Sequence, residues 1–426
     1  MRATLLIFTA VLFACRADAP SGKDPGAPAS LPGPADDSSS VVPPEMGATI
    51  PNPFPAGTTL GSLMPQVVAA SGGRVMASPR VVPITWDNDA NRSTIESFFT
   101  QYAASTAWYE HVSEYGVGKL TVGSPRHIPG SAPIAMSGAS LEQMLAGKLN
   151  GTWGWPDSNT IYEFFFPAGS RPTDAADSGK CCVDFDAFHY YMNVQGTDVA
   201  YAVVCMCPGY SKHVTDLQEL TLAAAHETVE AVTDPFNDAY ISEDSAHVAF
   251  KHATWGEVAD MCQFADTAAW TPPDMTYMVQ RSWSNTAAAA GHDPCVGEPA
   301  SSYYQIIPYL PDTVSVKQWD EYVTAQAAKI PVGETGKVKF TVFVDDPSAG
   351  PFDVKVADYA SAWQGKPKLL DITVPPGPFA AGETFEVDIT VLGQDTDLVH
   401  GEEFSITTTP HAGGVATKYF ALIGQP

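Results

Sequence analysis

The apolar positions change period several times along the chain, and each change predicts an element. "RVVPITW" (80–86) is a continuous apolar, β-rich run, the pattern of a buried strand. From 93 to 116 the spacing turns helical through Ile95, Phe98, Phe99, Tyr102 and Trp108, with Ser93 or Thr94 as cap and Gly116 as stop. "KLTVG" follows as a strand, "SLEQMLAGKLNG" (140–151) as a helix, and "TIYEFFFPAG" (160–169) and "TDVAYAVVCMC" (197–207) as strands. Helical spacing then returns, with Leu222, Ala225, Val229 and Val232 forming an apolar stripe, Thr215 or Asp216 near the start and Pro235 past the end. This order predicts an α+β domain over residues 78–300.

Beyond it the period shortens. "TGKVKFTVFVDD", "FDVKVADYA", "KLLDITVPPG", "GETFEVDITVLG", "GEEFSITTTP" and "ATKYFALIG" alternate and are divided by Gly, Pro and Asp turns. They predict an all-β immunoglobulin-like sandwich over residues 301–426. No constellation of chemistry lies in it, so it reads as an accessory binding or spacing module, or as a structural appendage.

At the other end, Arg2 precedes an apolar run from Ala3 to Ala14, too short to span a bilayer and the right length for a signal sequence. Leu12-Phe13-Ala14-Cys15 resembles a lipobox, with Cys15 the lipidated residue and residues 1–15 the signal peptide. Cleavage after Ala17-Asp18-Ala19 is the alternative. Residues 16–77, most clearly 16–47, are rich in Pro, Gly, Ser and Asp and read as a disordered tether, with 48–77 a linker or short pro-segment.

Composition narrows the setting. The 426 residues suggest two or three domains. The net charge of -26, from 48 acidic against 22 basic residues, excludes nucleic acid as a partner and leaves a lipid anchor as the only membrane attachment. Export makes disulfides the default for Cys181, Cys182, Cys205, Cys207, Cys262 and Cys295. Their pairing is not derivable from sequence. The preferred arrangement joins Cys262 with Cys295 and the 181/182 pair with the 205/207 pair. A four-cysteine zinc cluster is the competing reading.

The candidate chemistry sits in "AHETVEAVTDP". His226 and Glu230 are four apart, so they share a helix face at about 6 Å between Cβ atoms. Glu227 lies about 100° around from His226. This is the layout of H-E-x-x-H in zinc proteases, with a carboxylate as second ligand. Downstream, "WGEVADMC" offers Glu257 as third ligand and Asp260 as the group that orients His226. Glu227 is then the general base, and water would attack a polarised carbonyl. His189, in "DAFHYYM", is the rival third ligand, although a histidine among aromatics is more often a core residue. Trp283 and His292 are candidates for the cleft wall. Asp244, His247 and His252 fall in a polar stretch that reads as exposed. The hard donor set admits zinc, with calcium or manganese as alternatives. The plain alternative for the motif is a helix with a solvated acidic face. No G-x-S-x-G and no phosphate loop competes.

"AHETVEAVTDP" (225–235), "GEVADMC" (256–262) and "SWSN" (282–285) together resemble secreted bacterial relatives of the plant EXORDIUM, or phosphate-induced, family. "TAWYEHVSEYGVG" (106–118) and "YAVVCMCPGY" (201–210) are similar to it too. The likeness covers residues 78–298. It implies secretion and a cell-wall or extracellular setting, with no settled catalytic activity. The bacterial relatives look like zincins, and the order of elements resembles the N-terminal part of a zincin protease, so the expected fold over 78–300 is a zincin-like α+β domain with a metal site. The link between Pro235 and Trp255 is longer than the family's, and the doubled Cys181-Cys182 is unusual. The expected protein is therefore an exported, lipid-anchored metallohydrolase acting on protein or peptide. A non-catalytic surface protein with a structural metal, binding polysaccharide or protein, is the alternative.

Overall fold

The computed structural model describes residues 50–425, except 70–71, 177–178, 297–301, 319–320 and 412–413. The signal sequence, Cys15 and the tether up to residue 49 lie outside the described residues.

The first region contains β1 (Val67–Ala69), β2 (Arg80–Trp86), α1 (Arg92–Ala104), α2 (Thr106–Val112), β3 (Thr121–Val122), β4 (Arg126–Ile128), α3 (Gly138–Lys148) and β5 (Thr160–Phe166). It continues with β6 (Ala187–Val194), β7 (Thr197–Cys205), α4 (Asp216–Thr233), β8 (Tyr240–Ser242), α5 (Val248–Thr254), β9 (Ala269–Trp270), β10 (Val279–Gln280) and α6 (Asn285–Ala290). The main sheet runs β3-β2-β5-β7-β6, with β4 also on β2. All its pairings are parallel except β6 on β7, which is antiparallel. Both faces are covered, as a mainly parallel sheet requires. Ile161 and Phe165 of β5 point to the core shared with α1 and α4, while Tyr162, Phe164 and Phe166 point to the one shared with α3.

Among the differences from the sequence pattern, three change how the first region is understood. The helix expected over 93–116 breaks at Ser105, whose extended backbone lets its side chain cap α2 at Trp108 N. Asp274 holds the break by accepting from Ser105 Oγ and Thr106 N. The strand β6 was not expected at all. Residues 50–69 and 72–77 are not a tether: Phe54 packs edge-on against Tyr309 and Phe343, and Leu60, Met64, Val67 and Met76 are buried. β1 also pairs with β8. A few apolar anchors spaced through a Pro- and Gly-rich stretch supply the burial that its composition conceals.

The second region is all β apart from one short helix: β11 (Tyr304–Pro308), β12 (Asp312–Gln318), β13 (Glu321–Lys329), β14 (Thr335–Val344), β15 (Phe352–Asp358), α7 (Tyr359–Trp363), β16 (Leu370–Thr373), β17 (Thr384–Val391), β18 (Leu398–Val399), β19 (Gly401–Pro410) and β20 (Thr417–Gly424). A sheet ordered β11-β14-β17-β16 faces one ordered β15-β19-β20-β13-β12-β18. Phe340 meets Phe404, and Tyr304 meets Phe352, between the two. The described residues thus form a mixed α+β protein in which sheet predominates.

The two regions share one core. Phe250 of α5 packs its ring against Tyr419 at 4.9 Å and Phe420 at 5.4 Å. His252 Nδ1 lies 2.7 Å from Glu403 Oε2, with both side chains enclosed. His247 bonds Asp244 through Nδ1 at 2.7 Å and donates to Leu63 O through Nε2 at 2.9 Å. Glu243, Asp244 and Ser245 are exposed as expected, whereas the stretch from His247 on is a packed joint, and His247 and His252 are structural.

Candidate metal centre

α4 is the element that builds the site. Thr215 and Gln218 form a reciprocal capping box, and Asp216 and Glu219 complement the helix N-terminus. Fourteen of its residues are buried, so polar groups on several faces need partners. Thr228 meets Glu163 Oε2 of β5 at 3.1 Å. Burial pushes the Glu163 carboxyl well above its usual range. His226, Glu227 and Glu230 face β6, β10 and the segment after α5.

His226 Nε2 lies 2.9 Å from Glu230 Oε1 and 3.6 Å from Asp260 Oδ1. One ligand atom from each of the three falls within 4.8 Å of the other two. His226 Nδ1 lies 3.0 Å from Gln280 Oε1. The Gln280 amide nitrogen donates to Ala259 O at 2.8 Å, which turns its oxygen toward the ring. Nδ1 therefore carries a proton, and Nε2 is the atom left to meet an ion.

A second group is His189, Glu227 and Glu230. His189 Nδ1 lies 3.3 Å from Glu230 Oε2 and 3.5 Å from Glu227 Oε2. Its Nε2 lies 3.7 Å from Glu257 Oε1. The left-handed pair Trp255 (φ 71) and Gly256 (φ 90) ends α5 and turns the chain back so that Glu257 and Asp260 face α4.

Four polar atoms here are buried without a hydrogen-bond partner: His189 Nε2, His226 Nε2, Glu227 Oε2 and Glu230 Oε1. Each such orphan costs about 1–3 kcal/mol. The 2.9 Å contact between His226 Nε2 and Glu230 Oε1 lacks hydrogen-bond geometry. Its length and the 3.6 Å to Asp260 both fall below about 4.2 Å, twice a zinc–ligand bond, and all three atoms lie within 4.8 Å of one another. The donor set fits a divalent metal.

The charges reinforce this. Burial would raise the Glu230 carboxyl, but the imidazoles of His226 and His189 overcome it and hold the group down to about 2. Burial lifts Glu227 to about 7 and pushes Glu257 and Asp260 well up. Burial opposes charge on His189 and His226, yet the surrounding carboxylates raise both well above an ordinary imidazole. A metal ion competes for the same places as those protons.

A small pocket opens onto this cluster. Its polar walls are Asp186, Glu219, His226, Glu227, Gln263 and Gln280. Asp186 and Glu219 hydrogen-bond to each other; burial and the Asp186 charge lift Glu219 to about 8.

The expected roles are partly exchanged. Asp260, expected behind His226, faces its Nε2. The orienting place at Nδ1 belongs to Gln280. Glu257, expected as third ligand, stands against the far nitrogen of His189 instead. Trp283 is buried, donating its backbone N–H to Val258 O at 2.8 Å and accepting from Tyr115 at 2.6 Å, and is not among the pocket walls. His292 faces Asp345 at 3.2 Å, away from the pocket lining. Sequence reasoning missed Asp186, Glu219 and Gln280. His189, named as the rival third ligand, does reach the cluster; the strand that carries it there was missed, although Gln195 (φ 53) and Gly196 (φ 88) form a two-residue hairpin turn between β6 and β7.

Disulfides frame the site. Cys181–Cys205 and Cys182–Cys207 tie the segment before Asp186 to the end of β7, and Cys262–Cys295 holds the turn after Asp260. With all six sulfurs paired, no four-cysteine cluster forms. The bonds fit an oxidising, extracellular setting. Among the described residues no helix is long and apolar enough to cross a membrane.

No family model and no curated protein matches the chain. Among solved structures, domains 4 and 5 of the S-layer protein SbsC overlap 28% of this chain and 46% of theirs, at 10% identity and a TM-score of 0.16. A point mutant of the SrpA adhesin from Streptococcus sanguinis overlaps 30% of this chain and 60% of its own, at 14% identity and a TM-score of 0.19. The chain spans less than two thirds of either, and at such scores neither carries an argument about fold or function.

Proposed function

We propose that this protein is an exported, zincin-like metal-dependent hydrolase acting on extracellular protein or peptide. One observation carries the reading: His226, Glu230 and Asp260 converge in a buried cluster with orphaned donor atoms beside a pocket. These three residues would hold the ion. The imidazole favours zinc or manganese over calcium, which takes oxygen ligands. A bound divalent ion supplies Lewis acidity toward a carbonyl and toward water.

The rest falls to the chain's own groups. Glu227 lines the pocket next to His226, with one carboxylate oxygen unpartnered, and is the group to accept a proton from an attacking water. Gln280 holds the imidazole in its ligating tautomer. In this reading the chain is kin to the bacterial members of the EXORDIUM family, whose blocks at 225–235 and 256–262 would supply His226, Glu227, Glu230, Glu257 and Asp260. In this reading the C-terminal region is an immunoglobulin-like sandwich that braces α5, and Cys15 anchors the protein to lipid.

The depth of the cluster favours a second reading, a non-catalytic surface protein with a structural metal that binds polysaccharide or protein. Glu227, Glu230 and Asp260 are each at most 1% exposed. Hydrolysis of an unfolded protein substrate separates the two. Hydrolase action predicts cleavage that stops with chelator, returns with zinc, and is lost in Glu227→Gln while the ion at His226 is kept. Cleavage that survives full chelation would sink the proposal.

A further inference from the structure

The carboxylate of Glu230 is shared between two donor groups. Its Oε1 faces His226 Nε2 at 2.9 Å and its Oε2 faces His189 Nδ1 at 3.3 Å. The two histidines approach α4 from different elements, His226 from the helix itself and His189 from β6. Each belongs to its own three-residue set, and Glu230 is the residue common to both.

We propose that the centre is dinuclear. One ion sits among His226, Glu230 and Asp260, and a second among His189, Glu227 and Glu230, with Glu230 bridging. The inference rests on the metal-site reading above and adds a second site to it.

Three observations converge on this. First, the separations in the second set, 3.3 Å and 3.5 Å from His189 Nδ1, also fall below the span of about 4.2 Å that one ion covers. Second, both imidazoles turn one nitrogen toward carboxylates: His226 also has its other nitrogen bonded to Gln280, while the Nε2 of His189 is buried without a hydrogen-bond partner, 3.7 Å from Glu257. The His226 arrangement is that of a metal-ligating histidine. Third, the place is rich in buried carboxylates. Glu227, Glu230, Glu257 and Asp260 gather round His189 and His226, and the buried Asp234 and Glu163 stand next to them. One divalent ion offsets only two negative charges, so a second ion lowers what is left uncompensated. The inventory of four carboxylates and two histidines is also the one that holds two ions in carboxylate-bridged helical-bundle proteins.

In the two-ion form Glu227 is a ligand; with the first ion alone it is the proton acceptor. Loss of hydrolysis in Glu227→Gln is expected in either form, so metal content is the deciding measurement.

The full chain is loaded separately with zinc or manganese, desalted and subjected to elemental analysis, alongside His189→Gln and His226→Ala. The expected content is about two ions per chain in the parent and about one in His189→Gln. One ion in the parent, unchanged in His189→Gln, overturns the dinuclear centre and leaves the hydrolase reading standing. No ion in the parent overturns both. Electron paramagnetic resonance of the manganese-loaded parent needs no variant to fold: a spin-coupled signal is expected, and an isolated-ion spectrum at full loading contradicts the bridge.

Discussion

Gln280 fixes the chemistry of His226. Its amide oxygen lies 3.0 Å from Nδ1 because its amide nitrogen is committed to Ala259 O. A glutamine on a two-residue strand thereby decides which imidazole nitrogen faces the carboxylates. Replacing it with leucine frees the ring to rotate and to change tautomer. Gln280→Leu is expected to weaken metal binding about 10–100-fold, read by competition with a coloured chelator.

Asp260 and Glu257 have opposite expected effects on that same affinity scale. Asp260 faces His226 Nε2 at 3.6 Å, whereas Glu257 faces His189 at 3.7 Å. Asp260→Asn should therefore release the ion held by His226, and Glu257→Gln should retain it. Zinc affinity of the two variants, measured by the same competition, checks the assignment. The reverse order would return Glu257 to the first ion.

Glu219 makes stability depend on pH. Its folded-state value is raised from 4.5 to about 8 by burial and by Asp186, so the folded protein keeps a proton that the unfolded chain gives up. The contribution is fully present below about pH 4.5, is lost progressively as pH rises, and is gone above about 8. The slope from one such group is at most about 1.4 kcal/mol per pH unit. Glu219→Gln keeps a hydrogen bond to Asp186 and removes the titration. Thermal melts of this variant between pH 5 and 8 should decline less than those of the parent. Parallel declines would exclude Glu219 as the cause.

Phe250 is the joint between the two regions, 3% exposed and in ring contact with Tyr419 and Phe420. Phe250→Ala is expected to cost about 3–5 kcal/mol, and calorimetry of the purified protein reads it. Because α5 leads directly into Glu257 and Asp260, the same variant should also bind metal more weakly.

Much of the scaffold was legible because its apolar pattern is strong. The strand at 80–86 and α4 are found where their spacing places them. The motif on α4 identified three buried site residues because helical geometry fixes what is one turn apart. What lay outside that reach depends on chain pairing at long range. His189 enters through β6, the antiparallel edge strand, whose aromatic run hid its alternation. Gln280 enters through a strand of two residues, too short to show a period. The exchange between Asp260 and Glu257 turns on left-handed backbone at Trp255 and Gly256, which spacing alone does not reveal. The order in residues 50–69 comes from contacts with residues far along the chain, such as Tyr309 and Phe343.

The most direct test of the metal site is diffraction at the zinc absorption edge from crystals of the zinc-loaded protein. The account predicts an anomalous peak within bonding distance of His226 Nε2 and of carboxylate oxygens of Glu230 and Asp260. A fully loaded crystal with no peak among these three residues would contradict it.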